Sequence, residues 1–221
     1  MKRDWNERAR EDAYWYVDTG HADSEASFDA SGARDVALLF RGEEALLAPA
    51  DGRPVAALEL GCGAGRMTRH VAPRVGRLVA VDVSAAMLSI ARRRLAAFPQ
   101  VEYLETDGRS LRGVADGTID LVFSAHVLQH VPRTVAAAYV AEALRVLRPG
   151  GTLLVHVPGA VGDALPPEPP EADTWSLRHF APQELADGLV GAGFAFEGCR
   201  IELVGAPQNE ASALVVKARK P

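Results

Sequence analysis

Cysteine is nearly absent from this 221-residue chain, which has only Cys62 and Cys199, so a disulfide framework is excluded and a cysteine-bound zinc cluster is not expected. Lysine is scarce too, 3 against 21 arginines, which reads as genome composition rather than function. No apolar run approaches the roughly 18 residues that would span a bilayer. The first thirty residues carry charges throughout and contain no stretch of signal-peptide length, so a cytoplasmic location is expected. A basic excess is also missing: 24 basic and 29 acidic side chains leave a net charge of −5, which argues against a partner coated in phosphates. What is present is an ordinary soluble composition, 48% hydrophobic and 24% charged, long enough for one domain with an appendage.

From residue 55 onward, short β-rich runs alternate with helical patterns, the signature of a parallel sheet with crossover helices. Strands are predicted at 55–60, 77–83, 101–106, 119–124 and 152–157, with helices at 66–72, 85–97 and 134–147. Ser84 is an N-cap for the second of these helices, and Pro149-Gly150-Gly151 halts the third. A further helix is expected at 182–192, closed by Gly193, then strands at 200–204 and 212–218 joined as a hairpin through the turn-rich 205–209. Helices are expected in the N-terminal segment at 5–16 and 32–48. Between the strand at 152–157 and the helix at 182–192, residues 158–175 hold five prolines and four acids with no basic residue, which reads as a surface excursion.

The strongest chemical signal is Leu58-Glu59-Leu60-Gly61-Cys62-Gly63-Ala64-Gly65 at the end of the first of these strands. Closely spaced glycines permit a tight strand-to-helix turn and close approach of a ligand. Asp82 stands at the end of the next strand, where an acid accepts hydrogen bonds from ribose hydroxyls; the alternative is an acid placed there by a helix dipole. Together they indicate a nucleoside-bearing ligand. No lysine follows the glycines, so the phosphate-binding P-loop is absent. The dinucleotide fingerprint would need glycine where Arg66 stands, which disfavours NAD.

These motifs, with V-A-V-D-V-S at 79–84, Asp107-Gly108, I-D-L-V-F-S-A-H-V-L-Q-H-V at 119–131 and L-R-P-G-G at 147–151, resemble the class I S-adenosylmethionine-dependent methyltransferases, in particular the small-molecule group called methyltransferase type 11. The resemblance covers Val55 to about Lys217. It implies an α/β, Rossmann-like, doubly wound, seven-stranded and mostly parallel sheet with the last strand antiparallel. Residues 1–54 would form a helical lid and 55–221 the cofactor-binding domain. S-adenosyl-L-methionine would contact Glu59, Gly61, Cys62, Gly63 and Gly65 through its methionine part, and Asp82 through its ribose. Val83 and Met87 would wall the adenine, although Met87 alone reads more often as core packing, and only its place after Asp82 favours the cofactor role. Asp107 would accept from the adenine amino group beside Gly108, and Ser124, Ala125 and His126 would lie near the cofactor's ammonium.

Methyl transfer needs alignment more than a fixed catalytic residue, but a base helps when the acceptor is a hydroxyl or an acidic carbon. His126 and His130 would share one face if a helical turn starts after the fourth strand. His130 is the candidate base or acceptor contact, against a structural hydrogen-bonding role. Tyr14, Trp15, Tyr16 and His156 are candidate substrate-lining residues, with a docking-helix face as the alternative for the aromatic trio. No metal is expected. Arg92-Arg93-Arg94 reads as a solvated helix end and Cys62 as a small apolar filler. The tetrapeptide that marks amino-methylating enzymes acting on nucleic-acid bases or glutamine is replaced by Ser124-Ala125-His126-Val127. The expected activity is therefore O-, C- or N-methylation of a small metabolite, with no nucleic acid or membrane partner. A nicotinamide-dependent oxidoreductase and an inactive cofactor-binding subunit are the alternatives. Residues 1–54 hold 7 basic and 12 acidic side chains, and with the acidic excursion this favours a neutral or cationic acceptor.

Overall fold

The computed structural model describes residues 1–20, 23–48, 51–159, 165–204 and 211–221. The expected 205–209 turn lies outside the described residues. Seven strands follow the order β3-β2-β1-β4-β5-β7-β6, numbered along the chain: Ala56–Leu60, Arg77–Asp82, Val101–Glu105, Ile119–Ala125, Leu147–Gly159, Ala195–Val204 and Ala211–Arg219. Packing divides the chain into two compact units, residues 1–108 and 109–221.

In the first unit β1 and β3 both run parallel to β2, with Leu58 opposite Val79 and Val79 opposite Glu102. Leu58, Leu78, Ala80 and Val81 are buried, as expected for strands covered on both faces. Helix α4 (Ala85–Arg94) is capped by Ser84, whose Oγ accepts from Met87 N at 3.1 Å. It ends three residues earlier than its pattern suggests. The expected helix at 66–72 is reduced to one α turn, α3 (Thr68–Val71), followed by a 3-10 turn at Ala72–Arg74 with Pro73 inside it, since proline cannot supply the N–H that would continue the α pattern.

The N-terminal segment packs into this same unit. Helix α1 (Lys2–Val17) is broken at Asp12, whose backbone is extended and whose Oδ1 accepts from Tyr14 N and Trp15 N, starting a second short helix. The helix expected at 32–48 instead spans Glu25–Leu39 as α2, because Ser24 caps it by accepting from Ser27 N at 3.1 Å; residues 44–46 form a separate 3-10 turn. Ala9 and Ala13 of α1, Phe28 of α2, Ala64 and Met87 share one apolar cluster.

In the second unit β4 and β5 are parallel, with Ser124 opposite Val155, and β7 is antiparallel to both β5 and β6. Helix α5 (Arg133–Val146) stops where β5 starts, so Pro149-Gly150-Gly151 lies within the strand rather than ending the helix; Gly150 takes φ +76°, a left-handed conformation that suits glycine. Helix α6 (Pro182–Ala192) has proline in its first turn and ends on Gly193 at φ +104°. Among the described residues no helix is long and apolar enough to cross a membrane.

Candidate functional site

The cradle in the first unit is built by β1 and β2. Gly61 N and Cys62 N both donate to Val81 O, at 2.8 and 2.9 Å, which folds the loop across the end of β2. Gly63 takes φ +53° and Gly65 φ +82°, and a methyl group added to Gly65 would stand 2.7 Å from Leu95 Cδ1. The glycine that ends the loop is thus a packing requirement of α4 as well as a backbone one.

Asp82 ties the two strand ends together. Its Oδ2 accepts from Gly63 N and its Oδ1 from Ser84 N, both at 2.8 Å. Burial raises its carboxyl above the usual range, against these backbone donors. The Val83 backbone donates to it as well, so three of the roughly four acceptor positions of the carboxylate are used within the chain. Glu59 is buried and accepts from Thr68 Oγ1 at 2.6 Å. Desolvation pushes it up to about 8, despite the Thr68 bond and the nearby Arg66 charge, so it is mainly protonated at neutral pH. Cys62 is buried and its thiol is raised well above its ordinary value by the same desolvation, which makes it a filler without nucleophilic character.

At the end of β3 Asp107 is exposed and Gly108 is buried, at φ +84°. A methyl group on Gly108 would overlap Met1 Cε and lie 3.4 Å from Val83 Cγ2. A crevice between Gly108 and Val83, closed by any Cβ, is the shape an adenine ring needs, and with Asp82 it makes the residues present fit an adenosyl ligand.

Met87, only 1% exposed, packs in the cluster with Ala9 and Ala13 of α1 and Phe28 of α2. The aromatic trio does not act as a block. Tyr14 stacks on Phe28 with centroids 4.5 Å apart, Trp15 is exposed and meets Tyr16 edge-on, and Tyr16 Oη donates to Glu11, since consecutive helical residues point in different directions. Arg94 is not solvated. Its side chain is 6% exposed, donates to Ala64 O at 2.6 Å, pairs with Asp29 and Glu25, and lies over the Tyr14 and Phe28 rings.

Arg94 has a counterpart in Arg66, buried and paired with Asp18 and Asp35 while donating to Ser31 Oγ. Arg69 also pairs with Asp29. Four N-terminal acids are therefore used inside the unit. Glu168 of the excursion is engaged likewise, by Arg133 and Arg178, so the acidity of these segments does not argue for a cationic acceptor.

In the second unit Ser124 is buried and Ala125 half-buried at the end of β4. His126 follows at φ +60°, the one non-glycine among the described residues with a left-handed backbone. This breaks the helical turn expected over 126–130. Only Leu128–His130 form a 3-10 turn, so the shared face of His126 and His130 does not exist. His126 instead meets buried His156 of β5, with ring centroids 4.5 Å apart. Among the described residues no group of three potential ligands could hold a metal.

Sequence reasoning missed Asn6, whose Oδ1 accepts from Ser84 Oγ at 2.9 Å and Ala86 N at 3.1 Å and so caps α4 from α1. It also missed Arg178, 1% exposed, which donates to Asp173 O and Pro170 O and fastens the excursion. Neither carries a local signal, because each partner is remote or a backbone carbonyl.

Comparison with known proteins places this geometry in context. A family described as a methyltransferase domain matches residues 58–155. An uncharacterised 37.1 kDa protein in a Streptomyces fradiae transposon is 37% identical over 152 residues, 66% of this chain and 42% of its own length. Trans-aconitate 2-methyltransferase of Azoarcus is 41% identical over 103 residues, 46% of this chain and 38% of that protein. The chain thus spans less than half the length of these two relatives. The crystal structure of N-methyltransferase NodS from Bradyrhizobium japonicum, in complex with S-adenosyl-l-homocysteine, superposes with a TM-score of 0.69, 19% identity and coverage of 100% of this chain and 98% of that one.

Proposed function

We propose, from the premise that this chain carries a class I S-adenosylmethionine-dependent methyltransferase domain, that it transfers a methyl group to an oxygen, carbon or nitrogen atom of a small metabolite. The observation that carries this reading is the Asp82 carboxylate, pinned by Gly63 N and Ser84 N beside the Gly108 crevice. Bound S-adenosylmethionine supplies a methyl group already activated on sulfur for in-line displacement. Asp82 would hold the ribose with its remaining acceptor position, and the Gly108 and Val83 crevice would take the adenine beside Asp107. The backbone of Gly61 to Gly65 would meet the methionine part, held in place by the Glu59–Thr68 bond. Residues 1–54 are proposed as the cover of this cradle and 55–221 as the domain that does the chemistry.

Ser124, Ala125 and His126 are proposed as contacts of the cofactor's amino-acid end, and His130 as base or acceptor contact. A small-molecule acceptor is supported by trans-aconitate 2-methyltransferase among the relatives, and by the absence of the amino-methylating tetrapeptide after β4. A nicotinamide function is opposed by Arg66, whose ion pairs with Asp18 and Asp35 occupy the position a glycine would need. Calorimetric titration with S-adenosylmethionine, S-adenosylhomocysteine and NADH tests the reading. Binding of the first two is expected, and affinity for NADH alone would overturn it.

A further inference from the structure

The two ends of α1 lie on the two ends of the cradle. At the first end the Met1 side chain places its Cε against Gly108, in the crevice shared with Val83. At the other, Val17 Cγ2 lies 3.2 Å from where a Cβ on Gly63 would be. Between them α1 is fastened by Asn6, which bonds Ser84 and Ala86, and by Lys2, which pairs with Glu105 at the end of β3. The break at Asp12 separates residues 2–11 from the following turn, which carries the Tyr14 that stacks on Phe28.

We infer that α1 is a competitor as well as a cover: the Met1 thioether, where it lies against Gly108, occupies the crevice proposed for adenine, and the cofactor binds only after residues 2–11 undock. The inference rests on the cofactor reading above. Two groups cannot fill one crevice, so the apparent affinity for cofactor equals the intrinsic affinity reduced to the fraction of molecules with α1 undocked. Anything that loosens α1 then tightens cofactor binding. A simple cover predicts the opposite sign, because its contacts are made onto bound cofactor.

The test uses S-adenosylhomocysteine as the probe, on the full chain, with wild type, Asn6→Ala and Lys2→Ala. Loss of a hydrogen bond or two at Asn6 is expected to tighten binding about fivefold. Lys2→Ala, which removes the ion pair with Glu105 and touches neither Ser84 nor Ala86, is expected to tighten it about twofold. Amide hydrogen exchange of residues 2–11 is expected to speed up when the probe binds. Weaker or unchanged binding in both variants, or slower exchange of residues 2–11 in wild type, would overturn the inference while leaving the cofactor reading intact. Failure of wild type and both variants to bind the probe would remove the cofactor reading and this inference with it. Should Asn6→Ala fail to fold, Lys2→Ala and the exchange measurement decide the matter.

Discussion

The two units bury charge in different ways. In residues 1–108, Arg66 and Arg94 are buried against carboxylates: Asp18 and Asp35 for one, Asp29 and Glu25 for the other. In residues 109–221, Arg178 is equally buried but donates to the carbonyls of Pro170 and Asp173, with one exposed acid, Glu168, alongside. The first arrangement binds a distant segment to the cradle through paired charges; the second fastens a loop to itself through backbone groups that water can also satisfy. The difference teaches that an excess of acid in a sequence can be internal structure rather than an external field.

This contrast can be broken by substitution. Arg94→Met is expected to destabilise the chain by about 2–3 kcal/mol, because buried Ala64 O loses its charged donor and Asp29 keeps only Arg69. Arg178→Met should cost about 1–2 kcal/mol, since Glu168 is exposed and the freed carbonyls belong to a surface segment. Denaturant unfolding of both variants checks the ranking, and a larger loss at Arg178 would reverse it.

Glu59 sharpens the comparison from the side of pH. Its folded value near 8 lies above its ordinary 4.5, so between these the unfolded chain releases the proton first. The contribution of Glu59 to stability is therefore complete below about pH 4.5 and is lost as pH rises to 8, an effect of order a few kcal/mol. Glu59→Gln should flatten the fall of stability over this range, as read by melting temperature against pH. An unchanged profile would show that another group sets it.

The smallest expected effects separate the functions of the units. Asp82→Ala should weaken S-adenosylhomocysteine binding about tenfold, roughly 1.4 kcal/mol, whereas His130→Ala should retain cofactor affinity and lower turnover about tenfold. Normal turnover in His130→Ala, measured on an acceptor found by screening metabolites with labelled cofactor, would remove the base assignment.

Much of the cradle was legible from the chain alone, for a local reason. Gly61 to Gly65 and Gly108 need left-handed backbone that few other residues adopt, Ser84 caps its own helix, and β1 and β2 announce burial by unbroken apolar runs. The histidines were less legible. His126 and His130 read as one helical face, but a single residue at φ +60° redirects His126 toward His156, thirty positions away and aligned by the register of Ala125 with His156.

By itself the sequence determined the strand order's alternation with helices, the glycine turn, Asp82 at the end of β2 and the antiparallel end of the sheet, because each depends on neighbours within a few residues or on one family-wide spacing. Only the tertiary structure decided that Arg94 is buried, that Asn6 caps α4, that Met87 belongs to a core shared with α1 and α2, and that Met1 lies on Gly108. Each of these joins residues dozens of positions apart. Such contacts are fixed by which surfaces the folded chain brings together, and no local propensity encodes that.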